Sequence, residues 1–137
     1  MMKRWLLAGL AILVAWTALD LLLHRWALAG VYASNARLWR SAGEMNVALV
    51  YVATFALIAI YVGGYQGLVR PKSLGSGLRF GGLLGLALGI ASGLGPYLHM
   101  PLPATLAWGW LLGGTLKGLA AGAFLGWLIP DPPGARS

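Results

Sequence analysis

Four apolar runs separated by short polar stretches set the rhythm of this chain, at approximately residues 5–23, 47–64, 80–98 and 104–129. A hydrocarbon core takes about 20 helical residues to cross. Each run is of that order, the second the shortest and the fourth the longest. No stretches of about 10 alternating residues are present, so a barrel has no strands to build from and helices are the spanning option left. The pattern predicts an all-α polytopic membrane protein: a four-transmembrane-helix bundle forming one membrane domain over residues 1–137. Between the first two runs, residues 30–45 mix Leu38 and Trp39 with Arg37, Arg40 and Glu44. Arg40 and Glu44 stand at i, i+4, which predicts a short amphipathic helix at the membrane surface.

Composition sharpens this picture. Apolar residues make up 59% of the chain and charged residues 9%, against roughly 25% charged in ordinary globular chains. So few charges cannot cover a soluble surface, and the first partner implied is the lipid bilayer. The net charge of +7 comes from residues scattered between apolar runs, which reads as membrane topology and not as a nucleic-acid face. Lys3, Arg4, Arg70, Lys72, Arg79 and Arg136 fall on one side, against Arg25, Arg37 and Arg40 on the other. That bias places both the N- and C-termini in the cytoplasm of a bacterial inner membrane. The first run is longer than the 7–15 residues of a signal-peptide core and carries Asp20, His24 and Arg25 near its end, so it is expected to be a retained span. With no cysteine, disulfides, thiolate metal sites and cysteine nucleophiles are excluded.

Glycine is periodic in the last two runs. Gly77, Gly81, Gly85, Gly89 and Gly93 recur every four residues, and so do Gly114, Gly118, Gly122 and Gly126. Such stripes, a glycine zipper, clear one ridge of a helix so that two backbones approach closely. The third and fourth helices are therefore expected to pack as a tight hairpin, or alternatively to present one stripe to a partner subunit or solute path. In the second run Tyr51, Thr54, Ile58, Tyr61 and Tyr65 share one helix face. Their hydroxyls are expected to face the bundle, as an aromatic core or as a groove for a quinone, pigment or lipid tail.

Ionisable residues are few enough to follow one by one. Thr17, Asp20 and His24 stand at i, i+3 and i+7 on the first helix. His24 and His99 both end their spans on the outer side, level with Arg25, Arg37, Arg40 and Glu44. These residues form a candidate outer cluster in which Asp20 either pairs with an arginine or shares a proton, metal or anion site with His24. Only Asp20 and His24 have informative spacing, so no metal is assigned. Lys117 lies at mid-span, where an unpaired ammonium costs at least about 3 kcal/mol. Asp20 is expected to lie too near the outer face to reach it easily. Lys117 then either snorkels, loses its proton, faces a hydrated cavity, meets an acidic group on a partner, or uses Tyr51, Tyr61 and the face of Trp110 as internal partners.

"LDLLLH", "VYASNARLWRSAGEM" and "GLRFGG" together resemble a group of small four-helix bacterial integral membrane proteins. Its members share Asp-x-x-x-His at the end of helix 1, a Leu-Trp-Arg outer segment and an Arg-Phe-Gly entry to helix 3. The resemblance covers about residues 19–127 and implies a fold and topology, but no activity. It also implies acidic residues near Gln66 and Lys117, where this chain has an amide and a lysine. A carboxylate in helix 1 is shared with small multidrug exporters, whose acid lies mid-helix. No nucleophile–base set, phosphate loop or established metal motif is present, so the chain is not expected to be an enzyme or to hold a cofactor. The leading expectation is an accessory or scaffold subunit packing against a membrane-protein partner or as a homo-oligomer. A small ion, proton or anion transporter using the outer cluster and Lys117 is the alternative. Haem, pigment or quinone binding through His24 or His99 is a third.

Overall fold

The computed structural model describes residues 1–131. Helices long and apolar enough to cross a membrane run over α1 (Met2–Ala27), α3 (Val47–Leu68), α4 (Leu74–His99) and α5 (Ala104–Leu128). A short helix, α2 (Ala29–Ser34), follows α1. The chain is thus a multi-pass membrane protein by the length and apolarity of its helices. Leu28 packs against Gly109 and Leu23 against Gly113, while Ala8, Ile12, Ala121 and Leu125 share the core. Helices α1 and α5 therefore run antiparallel, as do α4 and α5, and the chain alternates direction through its four spans.

The glycine stripes of α4 and α5 lie on each other. A Cβ built on Gly85 would stand 2.6 Å from Gly118 Cα and 2.8 Å from Gly114 O, and one on Gly114 would stand 2.8 Å from Gly89 Cα. Gly77 and Gly81 meet Gly122 and Gly126 in the same way, and Gly93 meets the Ala107 carbonyl. Every neighbour in this list is backbone, which has no rotamer to change. Close approach yields dispersion and Cα–H···O contacts that lipid chains cannot replace.

A second layer closes the end of the bundle where α1 begins and α5 ends. Trp16 packs edge-on to Tyr61 at 5.4 Å, and Tyr61 edge-on to Phe80 at 6.2 Å. Tyr65 is fully buried and its hydroxyl donates to the Ser73 carbonyl at 3.2 Å. Tyr51 lies on the α1 side of α3 but is exposed there and not part of the packed core. Thr54 is only half-buried and donates to the carbonyl of Val50, one turn back, at 2.9 Å. A hydroxyl satisfied within its own helix needs no partner in the bundle, so nothing draws this end of α3 inward.

Connections are fixed by side-chain caps. Asn46 accepts from the Leu49 amide at 3.0 Å to start α3. Ser73 and Ser76 exchange hydrogen bonds to start α4 at Leu74, ahead of the apolar run that begins near residue 80. Lys72 is buried beside Asp131, whose carboxylate accepts from the Lys72 amide and lies 3.8 Å from its ammonium. Removing that carboxylate strands a buried cation and a backbone donor. Asp131→Ala is expected to lower stability by about 2 kcal/mol, measurable as a drop in unfolding temperature in detergent.

Candidate functional site

Both α1 and α4 are underwound at the end away from the termini, with π-helical turns over Leu21–Ala27 and Ile90–Leu94. In α4 the cause is Pro96, which has no N–H for the carbonyl of Ser92 one turn earlier. In α1 the wide turn ends with the Leu28 amide donating to Leu23, five residues back, at 2.8 Å. Such turns recur at functional sites because they re-aim side chains within a continuous helix. Here they flank a cleft of about 430 Å³ whose lining includes Asp20, His24, Tyr32, Ser92, Trp110 and Lys117.

At the floor of the cleft, Lys117 donates to both carboxylate oxygens of Asp20, at 2.9 and 2.8 Å. The pair is not sealed: the Lys117 side chain is 26% exposed and that of Asp20 44%. Trp16 anchors the cation from below. Its indole N–H donates to the Lys117 carbonyl at 2.8 Å, and the Lys117 ammonium sits 5.0 Å from its ring centroid. The expectation that Lys117 meets Trp110 or a tyrosine is thus corrected to Asp20 and Trp16. The pairing of Asp20 with an arginine is corrected to a pairing with lysine.

Above the pair, His24 Nε2 stands 3.7 Å from Asp20 and Nδ1 lies 2.7 Å from the Tyr32 hydroxyl. Trp110 donates its indole N–H to the same phenol oxygen at 2.6 Å. An indole N–H donates only, so the phenol accepts from Trp110 and, with its own proton still to place, can donate it to His24 Nδ1. When it does, a neutral His24 carries its proton on Nε2, facing Asp20. Burial pushes the Tyr32 hydroxyl above its ordinary pKa, with the Trp110 hydrogen bond opposing, so it stays a donor through neutral pH. Tyr32→Phe strands both Trp110 and His24 Nδ1. It is expected to cost about 1–2 kcal/mol and to erase the Nε2–H preference of His24 in ¹⁵N NMR spectra.

The remaining candidates lie apart from this group. Instead of an amphipathic helix, the outer segment forms 3-10 turns at Ala36–Leu38 and Ala42–Glu44, with Trp39 extended between them. Glu44 therefore does not reach Arg40; it accepts from the Ser41 amide at 3.0 Å and the Ser41 hydroxyl at 2.8 Å. These bonds hold its carboxyl below the usual glutamate range. The capping turn of Ser41 wins because it satisfies a backbone amide as well as a side chain. Arg37, Arg40 and His99 are exposed and form no ion pair among the described residues. Tyr32, Trp16 and Ser92 belong to the site without having been singled out in the sequence, and Trp39 joins it although its place in the sequence marks it only as an apolar residue of the outer segment. Among the described residues no three His, Asp or Glu side chains gather as a metal site.

The chain matches no family model, no curated protein and no solved structure, so its likeness to small four-helix membrane proteins rests on its four long apolar helices.

Proposed function

We propose that this protein is a small membrane transport protein that passes protons, or an ion exchanged for them, through the Asp20–Lys117 pair. The observation that carries this reading is a carboxylate and an ammonium holding each other at the floor of a cleft while remaining accessible from it. Below them the aromatic and aliphatic core around Tyr61 and Leu125 closes the bundle, so the cleft is a half-path with a charged gate at its end. Protonating Asp20 removes the charge that holds Lys117 and frees the ammonium to move. His24 is the group placed to relay that proton. Its Nδ1 takes one up through the Tyr32 hydroxyl, which is itself reprotonated from the cleft it lines, as Nε2 releases one to the Asp20 carboxylate. The Trp39 indole lines the cleft, with its N–H buried and without an acceptor among the described residues.

The bias of basic residues supports an orientation with both termini in the cytoplasm and the cleft opening outward from a bacterial inner membrane. No enzymatic reaction is part of this proposal. An accessory subunit docking through its glycine stripes is less well supported, because the stripes are spent on each other.

The test is proton flux into liposomes carrying the purified protein and an entrapped pH dye, driven by a membrane potential. Asp20→Asn and Lys117→Met are expected to lower flux at least about tenfold, the equivalent of 1.4 kcal/mol on the barrier. Arg37→Gln and Arg40→Gln, outside the cleft, are expected to leave it unchanged. Native flux no greater than that of empty liposomes, or equal flux in the Asp20 and Lys117 variants, overturns the proposal.

A further inference from the structure

Helices α1 and α3 meet around Gly9 and Ile58 and around Trp16 and Tyr61. Beyond Leu13 they leave an exposed seam between them, a groove of about 410 Å³. Its walls include Leu13, Trp16, Val50 and Tyr51, and its ionisable lining, Asp20, His24 and Arg25, gathers toward the far end of α1. Polarity therefore runs one way along it. Asp20 is neutralised by Lys117 and His24 is engaged by Tyr32. Arg25 has no ion-pair partner among the described residues, so the polar end carries one uncompensated cation.

Both walls lie in membrane-spanning helices, so whatever fills the groove comes from the bilayer. From Arg25 to Leu13 the helix rises about 18 Å, against about 15 Å for one leaflet of a 30 Å hydrocarbon core. A guanidinium fork matches the oxygens of a phosphate, and the apolar walls match an acyl chain.

We infer that this seam is a binding site for one anionic phospholipid, with its phosphate on Arg25 and one acyl chain lying between α1 and α3. The site is separate from the cleft. It stands or falls independently of the transport reading, although Asp20 and His24 border both.

The test is native mass spectrometry of the full chain released from vesicles of equal phosphatidylglycerol and phosphatidylcholine. The expected spectrum shows one retained phosphatidylglycerol per chain, in preference to phosphatidylcholine. Arg25→Gln is expected to reduce that adduct about tenfold, the loss of one charge-assisted contact. Val50→Trp, at an exposed groove position, is expected to remove it by filling the space for the chain. Unchanged unfolding temperatures establish that both variants are folded. Equal retention of the two lipids, or undiminished phosphatidylglycerol in Arg25→Gln, overturns the site. An adduct lost in Arg25→Gln but intact in Val50→Trp overturns the placement of the acyl chain in the seam.

Discussion

Replacing Gly118 with leucine is expected to abolish the folded bundle, and replacing it with alanine to lower stability by about 3 kcal/mol. The Cβ of an alanine there would press on the backbone of Gly81 and stand 2.8 Å from the Gly85 amide nitrogen. Neither atom belongs to a side chain that can swing aside, so α4 and α5 must separate along their whole shared ridge. That ridge brings the backbones of α4 and α5 into direct contact, and its loss leaves α1 and α3 without a rigid partner. Unfolding temperature and monodispersity in mild detergent measure the effect. Gly63→Ala is the matched control: no atom lies within 4 Å of its Cβ, so alanine is expected to be neutral or to stabilise α3 by up to about 1 kcal/mol. A Gly118→Ala variant as stable as the native protein would contradict the packing argument.

The second large effect is expected at the ion pair. Lys117→Met leaves the Asp20 carboxylate at membrane depth without its cation, and Asp20→Asn leaves the ammonium without its anion. Each is expected to cost about 3 kcal/mol. The double variant Asp20→Asn/Lys117→Met carries no charge there and is expected to recover most of that stability, while still failing to move protons. Stability restored without flux separates the pair's structural contribution from its transport role. Strictly additive losses would mean that the two side chains do not interact.

The helices were legible because a membrane demands length and apolarity, and both can be read without knowing what packs on what. The glycine ridge was legible for a related reason: its period of four matches the helix, so the stripe survives as a stripe in three dimensions. The ion pair was not legible. With α1 read as ending near residue 23, Asp20 stood one turn from water and out of easy reach of Lys117. The helix in fact continues through a wide turn to Ala27, which sets Asp20 deeper, level with Lys117. In α4 the wide turn has a visible cause in Pro96; in α1 no proline marks it. Tyr32 escaped notice because it reaches His24 across the bend between α1 and α2, a relation without helical spacing. The Arg40–Glu44 pair failed because Ser41 offered Glu44 two nearer donors. The tyrosine face held only where α3 leans on Trp16 and Phe80, and lapsed toward Tyr51.

The sequence contains only two aspartates and three lysines, so the pairing of Asp20 with Lys117 can be measured directly. Solid-state NMR on protein in lipid bilayers, with ¹³C-labelled aspartate and ¹⁵N-labelled lysine, reads the separation of carboxylate carbons from ammonium nitrogens. A strong short-range coupling is expected from Asp20 to Lys117, persisting in Asp131→Asn and vanishing in Lys117→Met. Absence of that coupling in Asp131→Asn would mean that the two charges stand apart in the membrane, and would contradict the gate on which the transport reading depends.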